Sequence, residues 1–147
     1  MTIAISCDMI VAGDGSTFGY PEIDVGLIPA IHFVQLPRLV GKHQAFGPLF
    51  LGEPFDAATA HRMGLLSEVV PKGTALERAR EIAGKLATKS PIVMKIGRDA
   101  FMRAVDADFR RSVENTAESF VVVASTEDCQ EGLNAFVEKR TPNYKGR

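Results

Sequence analysis

Glu22 is the residue whose surroundings best suit acid–base chemistry. It follows Pro21, whose fixed φ and missing N–H suit the first turn of a short helix and so aim the next side chain. Phe18, Tyr20, Ile23, Val25, Leu27 and Ile28 surround it in sequence with apolar and aromatic groups. Apolar neighbours disfavour the charged form of a carboxyl, a condition that suits a group meant to take and return a proton. The plainer alternative is a carboxylate that complements the positive end of a helix dipole. His32, between Ile31 and Phe33, could act as a base but reads better as a packed or surface histidine. The histidines His32, His43 and His61 have no metal-ligand spacing, and Cys7 and Cys129 form no C-x-x-C pair, so no metal site is assigned.

The elements that must position Glu22 lie in the front of the chain. Asp8–Gly13 reads as a short buried strand, and Ser16–Gly19 as a second one after the turn formers Gly13, Asp14 and Gly15. A helix over Asp56–Met63 has Asp56 to cap it, alanines to fill it and Gly64 to close it. Leu65–Val70 then reads as another strand, ended by Pro71. Residues 74–140 read as helical. Thr74 and Glu77 form the pattern of a capping box, and Leu76, Ala79, Ala83 and Leu86 repeat on one face. Ser90 and Pro91 start a helix expected to run to about Val105. Another is expected over about Asp108–Ala124, with Phe109, Val113, Phe120 and Val121 on one face. The last begins after Ser125 and Thr126, acidic at its start and ending in Lys139 and Arg140, as the dipole favours.

Composition sets the outer bounds. The chain has 147 residues, 46% hydrophobic and 24% charged, with a formal net charge of −1, which fits a folded domain and argues against a nucleic-acid module. The basic run Lys139, Arg140, Lys145 and Arg147 reads equally well as a solvated tail. No apolar stretch approaches the roughly 20 residues that cross a bilayer, so no membrane partner is expected. With no targeting signal in these residues, a cytoplasmic location is the default expectation.

Three stretches add what periodicity alone does not. Cys7–Gly13 followed by Ser16–Pro29 (S-T-F-G-Y-P-E-I-D-V-G-L-I-P) is similar to the signature of the crotonase, or enoyl-CoA hydratase/isomerase, family. Leu51–Pro71 resembles the family's T-G-x-x-x-x-A-x-x-A-x-x-x-G-L-V-x-x-V-V-P segment, and Glu131–Arg140 its closing E-G-x-x-A-F-x-E-K-R. The resemblance implies an α/β fold: part of a crotonase-like spiral of β-β-α units over residues 1–73, then a helical trimerisation segment over 74–147. It implies acyl-CoA thioesters as substrates, with coenzyme A part of the substrate and no separate cofactor. It also implies a homo-oligomer, a trimer or hexamer. Glu22 matches the family's second catalytic glutamate. Phe136 and Lys139 match residues that reach a neighbouring active site, the first lining the acyl pocket and the second meeting the nucleotide phosphates.

The chain departs from the family pattern in three places. The family's first catalytic glutamate falls on Thr2, and a glycine that supplies an oxyanion N–H would fall before Met1. The alternative for the chain taken alone is therefore a truncated or degenerate family member that oligomerises without catalysis. Pro29–Gln35 carries bulky residues where many members have glycines, and the Gly47-Pro48 pair is expected to break or kink a helix there.

Overall fold

A computed structural model describes residues 1–25, 27–106, 118 and 120–147. The chain forms two compact units, residues 1–82 and 83–147. The change in sequence texture at 73/74 lies near this division rather than on it.

The first unit opens with α1 (Thr2–Ile5) and carries two short strand pairs. β1 (Val11–Gly13) pairs in parallel with β4 (Glu68–Val70), Val11 opposite Glu68 and Gly13 opposite Val70. β2 (Thr17–Phe18) pairs antiparallel with β3 (Phe55–Asp56). Both strands of the parallel pair are shorter than their apolar runs. Ser67 N–H donates to Ile10 O at 2.8 Å, so pairing starts only there, while Leu65 and Leu66 are spent on the core. α4 (Ala57–Arg62) has the expected cap: Asp56 Oδ1 accepts from Thr59 N–H at 2.7 Å. Gly64, at φ +85°, closes the following turn.

Between β2 and β3 in the chain come α2 (Ala30–Val40) and α3 (Lys42–Leu51), joined through Gly41 at φ +86°, where a side chain would be strained. Leu36 and Val40 of α2 meet Ala45 and Leu49 of α3 in a core completed by Ile5, Ala12, Tyr20, Ala57, Ala60, Leu65 and Leu66. The expected break at Pro48 does not occur: α3 runs through it to Leu51. Proline removes one helical hydrogen bond, but the buried Ala45 and Leu49 on either side anchor this helix by packing.

Two expectations for α5 (Ala75–Ala87) fail. Thr74 Oγ1 donates to Pro71 O at 2.8 Å, but among the described residues no Glu77 N–H donates to it, so the capping box does not form. Leu76, Ala79, Ala83 and Leu86 are all exposed. What ties α5 to the first unit is polar: Arg78 Nε donates to both oxygens of Glu68 at 2.9 and 3.0 Å, and its Nη1 to Glu81 at 2.8 Å.

The second unit contains α6 (Pro91–Asp106) and the last helix, α7 (Glu127–Glu138). Both begin as their caps indicate. Val93 N–H donates to Ser90 Oγ at 3.3 Å, and Cys129 N–H to Thr126 Oγ1 at 3.1 Å. The expected helix over 108–124 falls largely outside the described residues, Phe109 and Val113 among them; 118 and 120–124 are helical, with Phe120 and Val121 exposed.

At the centre of this unit is a carboxylate. Asp128 is buried and accepts from Ser90 Oγ at 2.6 Å, Lys145 N–H at 2.7 Å and Gly146 N–H at 2.9 Å. The side chain thereby joins the start of α6, the first turn of α7 and the C-terminal tail. Glu131, one turn on, accepts from the Arg140 guanidinium and from Asn143 N–H at 2.7 Å.

Burial pushes the Asp128 carboxyl up, but the hydroxyl and the two tail N–H groups outweigh it and hold the carboxyl below its usual 3.8. Glu131 is lowered from 4.5 to about 2, chiefly by Arg140. A lowered carboxyl binds fewer protons folded than unfolded, so the Glu131 stabilisation is complete above about 4.5 and is lost as pH falls toward 2, and that of Asp128 is likewise lost as falling pH protonates it. The Lys145 and Gly146 amides, held by Asp128, are therefore expected to be protected from hydrogen exchange while that carboxyl is ionised and to lose protection as acid protonates it. Asp128→Ala should abolish the protection at neutral pH. Protection unchanged in that variant would show that the tail is held by other groups.

Candidate functional site

Glu22 lies in a one-turn 3-10 helix, Pro21–Val25, in the first unit. The proline starts the turn as its fixed φ allows, and Leu27 N–H closes the segment on Glu22 O at 2.9 Å. The carboxyl is half-buried. Its Oε2 is buried and has no hydrogen-bond partner among the described residues.

Two rings flank this carboxylate electrostatically. Tyr20 is fully buried, and burial together with the Glu22 charge pushes its hydroxyl up to about 12, so it stays a neutral donor. His32, on the first turn of α2, is 3% exposed. Its ring lies 4.7 Å from the Tyr20 ring, centroid to centroid, tilted by 54°. Burial and the chain's amino terminus lower the His32 pKa, partly offset by Glu22, so the imidazole is neutral at physiological pH. Its Nε2 hydrogen-bonds Thr2 Oγ1 at 3.1 Å. Tyr20 Oη, His32 Nδ1 and, one turn further along α2, Gln35 Oε1 are buried without partners.

The turn that carries Glu22 is braced from below by α3. Gly52, the left-handed residue that ends α3 at φ +68°, lies against Asp24: a Cβ at position 52 would stand 2.7 Å from the Asp24 carboxylate. Only a residue without a side chain lets the turn sit this close.

The other sequence-derived site residues are in the second unit. Phe136 is on the last turn of α7 and 84% exposed, which removes the plain reading of a core phenylalanine. Lys139 caps α7 in the left-handed conformation at φ 55° and is exposed. His32 is packed, as the sequence suggests, but its contact with Tyr20 and its bond to Thr2 are not legible locally. The only sequence signal is that His32 and Gln35 share one helical face with Leu36.

The description Enoyl-CoA hydratase/isomerase matches the chain over residues 1–147. The 2,3-dehydroadipyl-CoA hydratase of Escherichia coli (strain K12) is 37% identical over 146 residues, covering 99% of this chain and 57% of that protein. The short-chain-enoyl-CoA hydratase of Clostridium acetobutylicum is 34% identical, over 94% of this chain and 53% of that one. Among solved structures, the enoyl-CoA hydratase from Bacillus anthracis superposes with a TM-score of 0.93 at 34% identity, over 97% of this chain and 56% of its own. The human enoyl coenzyme A hydratase domain-containing protein 3 does so with a TM-score of 0.91 at 37% identity. The chain thus spans a little over half the length of the relatives it matches.

Gly52→Ala is expected to lower stability by about 1–2 kcal/mol from left-handed strain alone, with a further loss from the collision with Asp24. Thermal unfolding of Gly52→Ala with and without Asp24→Ala separates the two. If removing Asp24 recovers none of the loss, the turn is not braced at this contact.

Proposed function

The chain belongs to the enoyl-CoA hydratase/isomerase family, and from that premise we propose that it acts on acyl-CoA thioesters with Glu22 as the proton-transfer residue. The observation that carries this reading is the Glu22 carboxylate itself: half-buried, with Oε2 unpartnered, in a turn held by Pro21 and Gly52. A carboxylate that only served a helix dipole would sit in solvent or on a backbone N–H. The reaction class asks a carboxylate to move a proton at the carbon beside the thioester while backbone N–H groups stabilise the enolate oxygen. A single carboxylate supports double-bond migration more directly than water addition. Coenzyme A is part of the substrate in this reading, and no separate cofactor is invoked.

The same reading makes the protein a homo-oligomer, a trimer or a multiple of one. The support is exposed apolar surface: in the second unit Phe101, Val105, Phe120, Val121, Leu133, Phe136 and Val137 all stand open. Phe136 and Lys139 would then serve a neighbouring copy, the first against the acyl chain and the second against the nucleotide phosphates.

Glu22→Gln should lower turnover by about 10²–10⁴ with little change in folding, the usual contribution of an acid–base group. Near-normal turnover would remove Glu22 from the chemistry. Sedimentation equilibrium should give a mass at three copies or a multiple. A monomer of 15.9 kDa would mean that the apolar surface is covered within the chain.

A further inference from the structure

We propose that Tyr20, Glu22 and His32 together hold one water molecule, and that His32 takes a proton from it as it adds to the double bond. This rests on the assignment of Glu22 above and deepens it, from proton transfer in general to water addition. Three buried polar atoms carry the argument: Tyr20 Oη, Glu22 Oε2 and His32 Nδ1 are all without partners among the described residues. Tyr20 and His32 are more than nine-tenths buried and in ring contact at 4.7 Å, and the Glu22 charge acts on both. Buried polar atoms are almost always paired, so three orphans, the carboxylate oxygen and one atom from each ring, point to a shared ligand.

Their hydrogen-bonding characters fit water. The Tyr20 hydroxyl is a donor, and the Glu22 carboxylate is an acceptor. The Thr2 hydroxyl, which can accept as well as donate, pairs with His32 Nε2 at 3.1 Å; in the tautomer with Nε2–H donating to it, Nδ1 keeps its lone pair and is a second acceptor. A water then accepts from Tyr20 and donates to Glu22 and Nδ1, which is three partners, the usual number for a buried water. Thr2 at Nε2 and the tilted Tyr20 ring against the imidazole hold the ring in place. A phosphate or carboxylate ligand fits less well, since Glu22 would repel it and Tyr20 Oη is a single donor.

The step balances without another reactant. The water oxygen bonds to C3 of the enoyl thioester, and its proton goes to His32 Nδ1. The π electrons of the C2–C3 bond move toward the thioester as an enolate. The imidazolium passes the water's proton to the Glu22 carboxylate, which delivers it to C2, so both groups return to their starting state. His32 is neutral before the step, as a base must be.

The experiment compares two reactions of the protein: hydration of crotonyl-CoA, and exchange of the C2 protons of butyryl-CoA in D₂O. Exchange needs Glu22 but no added water. His32→Gln should lower the hydration kcat by about 10²–10⁴ with KM little changed, and leave exchange within a few-fold of wild type. Hydration kept within a few-fold in His32→Gln overturns the proposal. So does an equal loss of both reactions, which would make His32 structural, and so does a wild-type protein that exchanges but does not hydrate. Glu22→Gln should abolish both reactions. If it spares exchange, the assignment of Glu22 fails, whatever His32→Gln does. A crystal structure should also show a water within hydrogen-bond distance of Tyr20 Oη, Glu22 Oε2 and His32 Nδ1. A site without it overturns the proposal.

Discussion

The contact between Tyr20 and His32 is the constraint on which the first unit's arrangement depends. Tyr20 closes the segment after β2 and immediately precedes the turn that bears Glu22. His32 begins α2, whose Leu36 and Val40 are core residues. Packing one ring against the other fixes the Glu22 turn relative to the helix, which neither short strand pair could do alone. Aromatic pairs of this kind contribute about 0.5–1.5 kcal/mol beyond their buried area. That figure is modest, but the contact sits at the middle of the core, so α1, through Thr2, is drawn into the same arrangement. Gly52 under Asp24 fixes the turn from its other side.

The second unit is organised by a different principle. Few of its described residues are buried, and two of these, Ser90 and Asp128, are polar and bonded to each other at 2.6 Å. Asp128 takes up the N–H groups of a tail that has no secondary structure of its own, while the apolar side chains of α6 and α7 largely face outward. Among the described residues of this unit hydrophobic burial is slight, and a satisfied carboxylate fixes the tail. Surface of this kind is normally buried between copies of a chain, which is the physical ground for the proposed oligomer.

Which features were legible in the sequence follows from the range of the forces involved. The caps at Asp56, Ser90 and Thr126 and the turn at Gly64 depend on atoms within three or four residues, and each forms as the local pattern indicates. The Thr74 box was a local pattern too, but the hydroxyl turns to donate to Pro71 O and takes no N–H of α5, an orientation the pattern does not specify. The α5 face failed because a stripe of apolar residues states a capacity for burial and not a partner. Pro48 failed as a helix breaker for the opposite reason, since packing of Ala45 and Leu49 was invisible locally. Family membership was readable from three ordered motifs, and the matching fold and relatives agree with it. The environment of Glu22 was readable only as apolar neighbours. Tyr20 was among those neighbours, but its pairing with His32 follows from no local rule.

The cost of those partners is itself informative. A buried polar atom without a hydrogen bond costs about 1–3 kcal/mol, against a total stability of about 5–15 kcal/mol for a typical domain. Phenylalanine at position 20 would keep the ring contact and the buried area while removing one orphan hydroxyl. Leucine at position 32 would remove the orphan nitrogen and suit the α2 core face. An apolar set is thus the more stable solution for this packing, and stability alone gives no reason for a tyrosine, a histidine and a glutamate to meet here. Local arrangements that work against stability concentrate at functional sites, where a ligand offsets the cost. The polar set around Glu22 is accordingly better explained by something it binds than by the fold it helps to hold.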